Sequence, residues 1–139
     1  MCRKKKCIAA LCLAVCMFLT PALQVNAVSQ DVIIPRMTYI SNSDCGLTIE
    51  DGVASVDAFV NGNSSLATRC EIEVVLQEKG VLFWNDYASW FDSQSGRRAE
   101  IHESLDVNEG KKYRATVTVT VWSGSDSETR EFNTATVNS

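Results

Sequence analysis

The chain has 139 residues, of which 45% are hydrophobic, and a formal net charge of −4 at pH 7. This length suits one domain with a modest core rather than several domains. The acidic balance argues against polyanionic partners, namely nucleic acids and anionic membrane surfaces.

Residues 1–27 have the pattern of a secretory signal peptide. A basic start, Arg3 to Lys6, precedes the uncharged apolar stretch Ile8 to Leu19. That stretch of about 12 residues is shorter than the roughly 20 that cross a bilayer, and Val25-Asn26-Ala27 resembles a cleavage site. We predict cleavage after Ala27, which leaves a protein without a membrane span that is secreted or associated with the cell surface. The alternatives are an uncleaved anchor and a lipoprotein modified at Cys16.

Cleavage would make the remaining chain more acidic. It removes four of the thirteen basic residues and none of the seventeen acidic ones, so the net charge becomes −8. We predict a flexible N-terminus over residues 28–33 and one β-sandwich domain over residues 34–139.

Two cysteines, Cys45 and Cys70, follow the predicted signal peptide. An even pair in an exported chain favours a disulfide, which would close a loop of about 25 residues and contribute roughly 3 kcal/mol. Two free thiols are the alternative. The only histidine, His102, lies far from both without ligand spacing, so we predict neither a metal site nor a cofactor.

Alternating apolar and polar residues predict strands along the rest of the chain. After a first extended piece at Ile33 to Ile40 and a turn at Ser41 to Asp44, the predicted strands are 45–50, 53–60, 67–79, 81–91, 98–106, 112–122 and 127–137. Asp51-Gly52 predicts a two-residue hairpin, and Asp92 to Gly96 predicts a loop. The clearest alternation runs from Tyr113 to Trp122. Seven strands with turns between them predict a single antiparallel β-sandwich.

The order and lengths of these strands resemble a fibronectin type III or immunoglobulin-like domain, with strands A, B, C, C′, E, F and G. Gly110-Lys111-Lys112-Tyr113-Arg114 is similar to the turn and first aromatic of the F strand in that family. The resemblance implies one sheet of A, B and E, another of C′, C, F and G, and a Tyr113 hydroxyl that caps the preceding turn. The tryptophan usual on strand B is missing, so other sandwich topologies remain open.

The whole chain also resembles small secreted proteins of clostridia and related Gram-positive bacteria. The segments that carry this resemblance are Pro35 to Ile40, Val75 to Lys79, Trp84 with Ser89-Trp90, and Gly110 to Arg114. Families of that kind have no assigned function, so the resemblance implies no catalytic residues.

Catalytic constellations are weak in this sequence. A Ser-His-Asp hydrolase would need His102, which is predicted on the polar face of a strand, and no nucleophile elbow occurs. Glu71 and Glu73 share one strand face rather than facing each other across a cleft. We therefore predict that the protein is not an enzyme, and a small hydrolase is the least favoured function.

Aromatic residues are the best candidates for a contact surface. Trp84, Tyr87 and Trp90 crowd one predicted strand, and Trp122 lies opposite the apolar face of another. Exposed tryptophan and tyrosine rings can stack on sugars or anchor a protein. We predict a binding module that uses these four residues, beside the loop Asn61 to Ser65, to contact envelope polysaccharide or a protein. The alternatives are that the rings complete the core, or that an edge strand pairs with a partner chain.

Overall fold

The structure is a computed structural model that describes residues 37–139. The predicted signal peptide and flexible N-terminus lie outside the described residues. The strands are β1 (Ile40–Glu50), β2 (Val53–Gly62), β3 (Arg69–Lys79), β4 (Trp84–Ser95), β5 (Arg98–Asp106), β6 (Lys112–Ser123), β7 (Asp126–Asn133) and β8 (Val137–Asn138). Within residues 37–139 there is no helix with the length and hydropathy that a membrane crossing requires.

The strands form two antiparallel sheets. The small sheet has the order β1-β2-β5, and the large sheet has the order β4-β3-β6-β7, with β8 paired to the start of β6. The predicted all-β class is confirmed, with two antiparallel sheets. We call the end with the β2–β3, β4–β5 and β6–β7 connections the first pole. The second pole carries the β1–β2, β3–β4 and β5–β6 connections.

Period-2 alternation builds the core between the sheets. On β6, Tyr113, Ala115, Val117, Val119 and Val121 are fully buried, while the intervening residues are only partly covered. They pack in one cluster with inward residues of the small sheet, such as Val56 and Val60. The inner faces of both sheets are therefore buried in the core. Only the outer faces, the edges and the poles are accessible to a ligand or partner.

Tyr113 anchors the second pole. Its hydroxyl donates to Glu78 Oε2 at 2.6 Å and accepts from the Asn108 backbone N–H at 2.9 Å. Burial and the Glu78 carboxylate raise the pKa of Tyr113 to about 12. The hydroxyl thus caps the turn before β6, as the resemblance to fibronectin type III domains implied.

Glu128 on β7 ties the large sheet to the start of β1. Its carboxylate accepts from the backbone N–H groups of Thr38, Tyr39 and Ile40 at 3.1, 2.7 and 2.8 Å. Burial raises the pKa of Glu128, but these three donors outweigh it and lower the pKa below its ordinary value. The contact stabilises the ionised carboxylate at the first pole.

Four predicted boundaries are wrong. Residues 81–83 belong to the turn between β3 and β4 rather than to the predicted strand 81–91, and β4 begins at Trp84. Residues 41–44 are part of β1 rather than a turn, because they pair with the end of β2. Residues 92–95 extend β4 rather than form a loop, because they pair with the start of β3. The last predicted strand is divided: β7 ends at Asn133, and Thr134 then closes onto Ala115 before β8 begins.

The predicted disulfide between Cys45 and Cys70 is not formed, and both residues are free cysteines. The prediction placed Cys45 at the start of its strand, level with Cys70 at the first pole. In the structure β1 begins at Ile40, so Ile40 pairs with Gly62 and Cys45 pairs with Ala58. Gly62 is the residue beside the Cys70 sulfur. Ala58 lies four residues before Gly62, because one residue between Ile40 and Asn42 is a bulge. Four residues of strand carry Cys45 roughly 13 Å along the sheet, beyond disulfide reach of that pole.

Candidate functional site

A β-bulge in β4 determines which aromatic residues face outward. Leu76 on β3 pairs with Ala88, whereas the next residue, Gln77, pairs with Asp86, so Tyr87 is the extra residue. An inserted residue reverses the alternation of side chains beyond it. Trp84 and Asp86 therefore lie on the outer face before the bulge, and Ser89 and Phe91 lie there after it.

Two of the four predicted contact residues, Trp84 and Trp122, lie on the outer face of the large sheet. The Arg114 guanidinium lies over the Trp84 ring at 4.4 Å from its centroid, and the Lys79 ammonium at 5.2 Å. Arg69 covers the Trp122 ring at 4.6 Å, and Trp122 Nε1–H donates to Glu71 at 3.1 Å. Both rings are half-buried.

These two tryptophans stand at opposite ends of the face. Their partners on β3 are Lys79 for Trp84 and Arg69 for Trp122. Ten residues of strand correspond to about 33 Å. The predicted companion loop, Asn61 to Ser65, belongs to the first pole with Trp122 and lies far from Trp84.

The other two predicted contact residues, Tyr87 and Trp90, turn toward the interior. The Tyr87 hydroxyl donates to the Asp106 carbonyl at 3.1 Å, and its ring meets Tyr113 edge-on with centroids 5.5 Å apart. Trp90 pairs with the buried Val74 and packs against the core. The four predicted residues therefore do not share one surface.

Phe91 is the outward aromatic that the sequence-based prediction omitted. It is 65% exposed and pairs with Glu73 on β3. A shallow groove at the bulge is lined by six residues, Glu73, Val75, Asp86, Tyr87, Ala88 and Ser89. Glu73, Val75, Asp86 and Ser89 lie on the outer face of the sheet. We call these four residues together with Phe91 the outer groove. The sequence did carry a sign of the bulge. Within residues 84–91, neither the even-numbered nor the odd-numbered positions are consistently apolar.

Hydrogen bonds position the polar groups of the outer groove. Gln77 Nε2–H donates to Asp86 Oδ1 at 2.8 Å. The Gln77 side-chain oxygen, Oε1, accepts from Arg114 Nε–H at 3.0 Å. The groove thus offers carboxylate acceptors and a hydroxyl beside an exposed ring, a combination that can bind hydroxyl groups and stack on an apolar ring face.

The polar face continues over β6 and β7 as a set of threonines and their partners. The Thr120 and Thr129 hydroxyls lie 2.9 Å apart, and the Thr116 hydroxyl donates to Asn133 at 2.8 Å. These pairs make the face flat and polar beyond the groove.

His102 lies on the outer face of the small sheet and forms part of a charge cluster. Its Nδ1 is 2.7 Å from Asp57 Oδ1, and its Nε2 is 3.7 Å from Glu100 Oε1. The hydrogen bond to Asp57 raises the pKa of His102 above its ordinary value. The nearby Ser104 hydroxyl pairs with Ser55 at 3.1 Å instead of with His102. A nucleophilic triad would require a hydroxyl at Nε2, so this arrangement does not support a Ser-His-Asp hydrolase.

Cys45 is equally unsuited to nucleophilic chemistry. Burial and the nearby carboxylates of Asp44 and Asp57 raise the pKa of Cys45 to about 11, which keeps the thiol protonated at neutral pH. Its cross-strand partner Ala58 faces the core, whereas Asp57, the partner of His102, faces outward. Cys45 and His102 therefore lie on opposite faces of the small sheet.

Among residues 37–139, no group of three or more histidine, cysteine, aspartate and glutamate side chains is arranged to hold a metal ion. No protein-family model matches the chain, and no curated protein matches it either.

Proposed function

We propose that the protein is a secreted, non-enzymatic binding module that contacts cell-envelope polysaccharide through the outer groove. The observation that carries the proposal is the position of Phe91, 65% exposed beside Glu73 on a largely polar sheet face. A large exposed ring next to a carboxylate has no role in the core, and aromatic residues are enriched at binding surfaces.

The spacing of aromatic rings favours an extended polymer over a small ligand. Trp84, Phe91 and Trp122 share the outer face of the large sheet, with Lys79, Glu73 and Arg69 as their respective partners on β3. These partners are six and four residues apart, which corresponds to about 20 Å and 13 Å along the strand. A flexible chain of sugars could contact the rings in succession, with its hydroxyl groups on the carboxylates and threonines between them.

Absence of catalysis is part of the proposal. The outer groove is shallow, and the histidine cluster lies on the other sheet with its Nε2 toward Glu100. A shallow, open face allows water free access to any bound ligand, whereas catalytic sites exclude it.

We also propose that the sandwich is of the fibronectin type III or immunoglobulin-like kind. The orders β1-β2-β5 and β4-β3-β6-β7 correspond to A-B-E and C′-C-F-G, and the Tyr113 hydroxyl caps the turn before the sixth strand. The resemblance to small secreted clostridial proteins and the export signal in residues 1–27 support action outside the cell. Mass spectrometry of the exported protein should report Val28 as its first residue.

Edge-strand pairing remains the alternative function, and the structure offers it less support. β7 is an edge of the large sheet, and it carries Asp126, Glu128, Arg130 and Glu131. Charged side chains on an edge oppose pairing with another chain.

The direct test measures the affinity of the full chain for purified envelope polysaccharide. Phe91→Ala should weaken binding about tenfold or more, a loss of roughly 1.4 kcal/mol or more. Phe59→Ala is the matched control, because Phe59 lies on the outer face of the small sheet beneath Arg98. Equal affinities for both variants and the wild type would contradict the proposal. If the chain binds a protein and not the polysaccharide, the proposed ligand would be wrong and the ligand would be a protein.

A further inference from the structure

The turn between β3 and β4 presents three consecutive apolar side chains to solvent. Val81 is 98% exposed, Leu82 76% and Phe83 73%. We call residues 81–83 the apolar tip. Single exposed apolar residues are common on protein surfaces, but a continuous apolar patch at the end of a hairpin usually marks an interaction site.

The tip is held in shape by its own backbone. Gly80 N–H donates to the Phe83 carbonyl at 2.8 Å and closes the turn. A Cβ at position 80 would lie 2.7 Å from Asn85 Nδ2 and 2.9 Å from the Phe83 oxygen, so only glycine fits there without displacement. The three side chains therefore project from a closed turn, in a convex shape.

Positive charge is concentrated at the base of the tip. Residues 37–139 contain three lysines, Lys79, Lys111 and Lys112, and all three line one shallow groove together with Val81. The same residues carry eight basic and sixteen acidic side chains overall. None of the six acids at this pole lines that groove. Glu78 accepts hydrogen bonds from Tyr113 and Asn108, and Asp86 accepts one from Gln77. Glu50, Asp51 and Asp106 belong to the small sheet or its turn, and Glu109 precedes Gly110 in the same turn as two of the lysines.

We propose that the apolar tip inserts into an anionic phospholipid membrane, with Lys79, Lys111 and Lys112 on the lipid headgroups. Apolar side chains ahead of a ring of lysines match the two layers of a membrane interface, hydrocarbon below and negative charge above. Lysine stems can lie along the apolar layer while their ammonium groups stay with the phosphates.

A convex tip favours a deformable lipid surface over a protein pocket. The acidic remainder of the domain would be repelled by the same membrane, so the lysine-lined side of the tip is the part that would approach it. β3 and β4 run away from the tip, so the outer groove would lie further from the lipid than the tip does. The inference is independent of the polysaccharide proposal, since the two sites share no residue.

Insertion can be measured with vesicles of brominated phosphatidylglycerol, whose bromines quench tryptophan fluorescence at short range. The probes are Phe83→Trp at the tip and Leu66→Trp as the matched control, because Leu66 is 38% exposed in the loop at the first pole. Both are made in the full chain and keep the three native tryptophans. We expect the vesicles to quench Phe83→Trp about twofold more than Leu66→Trp, since only the tip enters the hydrocarbon.

The charge requirement is tested with Lys111→Glu/Lys112→Glu. This double variant should lower partitioning onto phosphatidylglycerol vesicles about tenfold or more. Arg97→Glu/Arg98→Glu reverses two neighbouring charges at the first pole and should bind like the wild type. Phosphatidylcholine vesicles should bind all of these proteins weakly.

Several results would overturn the proposal. Equal quenching of the two tryptophan probes would show that the tip does not enter the bilayer. Concentration-dependent dimers that Phe83→Ser abolishes, without vesicle binding by the wild type, would make the tip an interface between copies of the chain. Adding Phe91→Ala to the Phe83→Trp protein should leave its quenching by brominated lipid unchanged. If this substitution abolishes polysaccharide binding while the tip still inserts, the two sites are independent.

Discussion

The outer faces of the two sheets are both polar, yet their side chains are satisfied in different ways. On the small sheet, β2 and β5 pair in unbroken register, and Asp57 meets His102 while Ser55 meets Ser104. On the large sheet, the bulge at Tyr87 interrupts the register and leaves Phe91 exposed beside a groove. An unbroken register lets polar residues satisfy one another, whereas one extra residue creates a surface that is free to bind something else.

Trp90→Ala and Phe91→Ala test whether the bulge assigns these neighbours to opposite sides of β4. Trp90 packs on the core, so its truncation should lower the free energy of unfolding by about 2–3 kcal/mol, less than for a fully buried tryptophan. Phe91→Ala should change it by no more than about 0.5 kcal/mol. Urea unfolding gives both values. The reverse order would show that β4 has the other phase and that the outer groove does not exist.

Glu128→Gln tests the tie between the two sheets. Replacing a carboxylate that accepts three backbone hydrogen bonds should lower stability by about 2 kcal/mol at pH 7. Because the pKa of Glu128 is lowered below 4.5, the wild type has this stability above pH 4.5 and loses it as the pH falls through the lowered pKa.

Unfolding midpoints of the wild type and Glu128→Gln should therefore converge in acid. Glu131→Gln, an exposed position on the same strand, serves as the control and should follow the wild type throughout. A difference between Glu128→Gln and the wild type that is constant with pH would rule out the carboxylate contact as its source.

Tyr87→Phe tests whether the bulged residue is anchored to the small sheet. The substitution keeps the edge-on contact with Tyr113 and removes only the hydrogen bond to the Asp106 carbonyl. We expect a loss of about 0.5–1 kcal/mol in thermal or urea unfolding, because the residue is partly exposed. Polysaccharide affinity should not change, since the Tyr87 hydroxyl points to Asp106 on the small sheet, away from the outer face. A loss of affinity for the polysaccharide would show that Tyr87 is part of the contact surface.

Asp57→Asn tests whether the polar residues on the outer face of the small sheet satisfy one another. Of the substitutions considered, it should have the smallest effect on stability. In the wild type the pKa of His102 is raised above 6.5, mainly by the hydrogen bond to Asp57. The contact favours the folded state at low pH, and this contribution is lost as the pH rises through the raised pKa. An NMR titration should show a lower pKa for His102 in Asp57→Asn than in the wild type, and a smaller decrease in Glu100→Gln. Equal decreases would assign the shift to general charge rather than to the short hydrogen bond.

Regular parts of the fold could be predicted because local chemistry specifies them. The alternation from Tyr113 to Trp122 is that of a strand with one buried face, and the structure buries that face fully. Asp51 and Gly52 have φ angles of 52° and 76°, the left-handed values of a two-residue hairpin turn. The positions of these elements did not depend on distant residues.

Irregular and long-range features could not be predicted in the same way. The bulge at Tyr87 depends on how β4 pairs with β3, and it moved Tyr87 and Trp90 away from the surface where the sequence pattern placed them. The Glu128 contact joins residues nearly ninety positions apart, with no local pattern to indicate it. The disulfide prediction failed because the start of β1 was placed five residues too late.

The most direct test of the account is an NMR map of the polysaccharide contact. Amide spectra of the ¹⁵N-labelled chain are recorded with and without purified envelope polysaccharide. The account predicts shift changes at Glu73, Val75, Asp86, Ser89 and Phe91, extending toward Trp84 and Trp122, and none at Asp57 or His102. Shift changes confined to the outer face of the small sheet, or no changes at all, would contradict the outer groove as the binding surface.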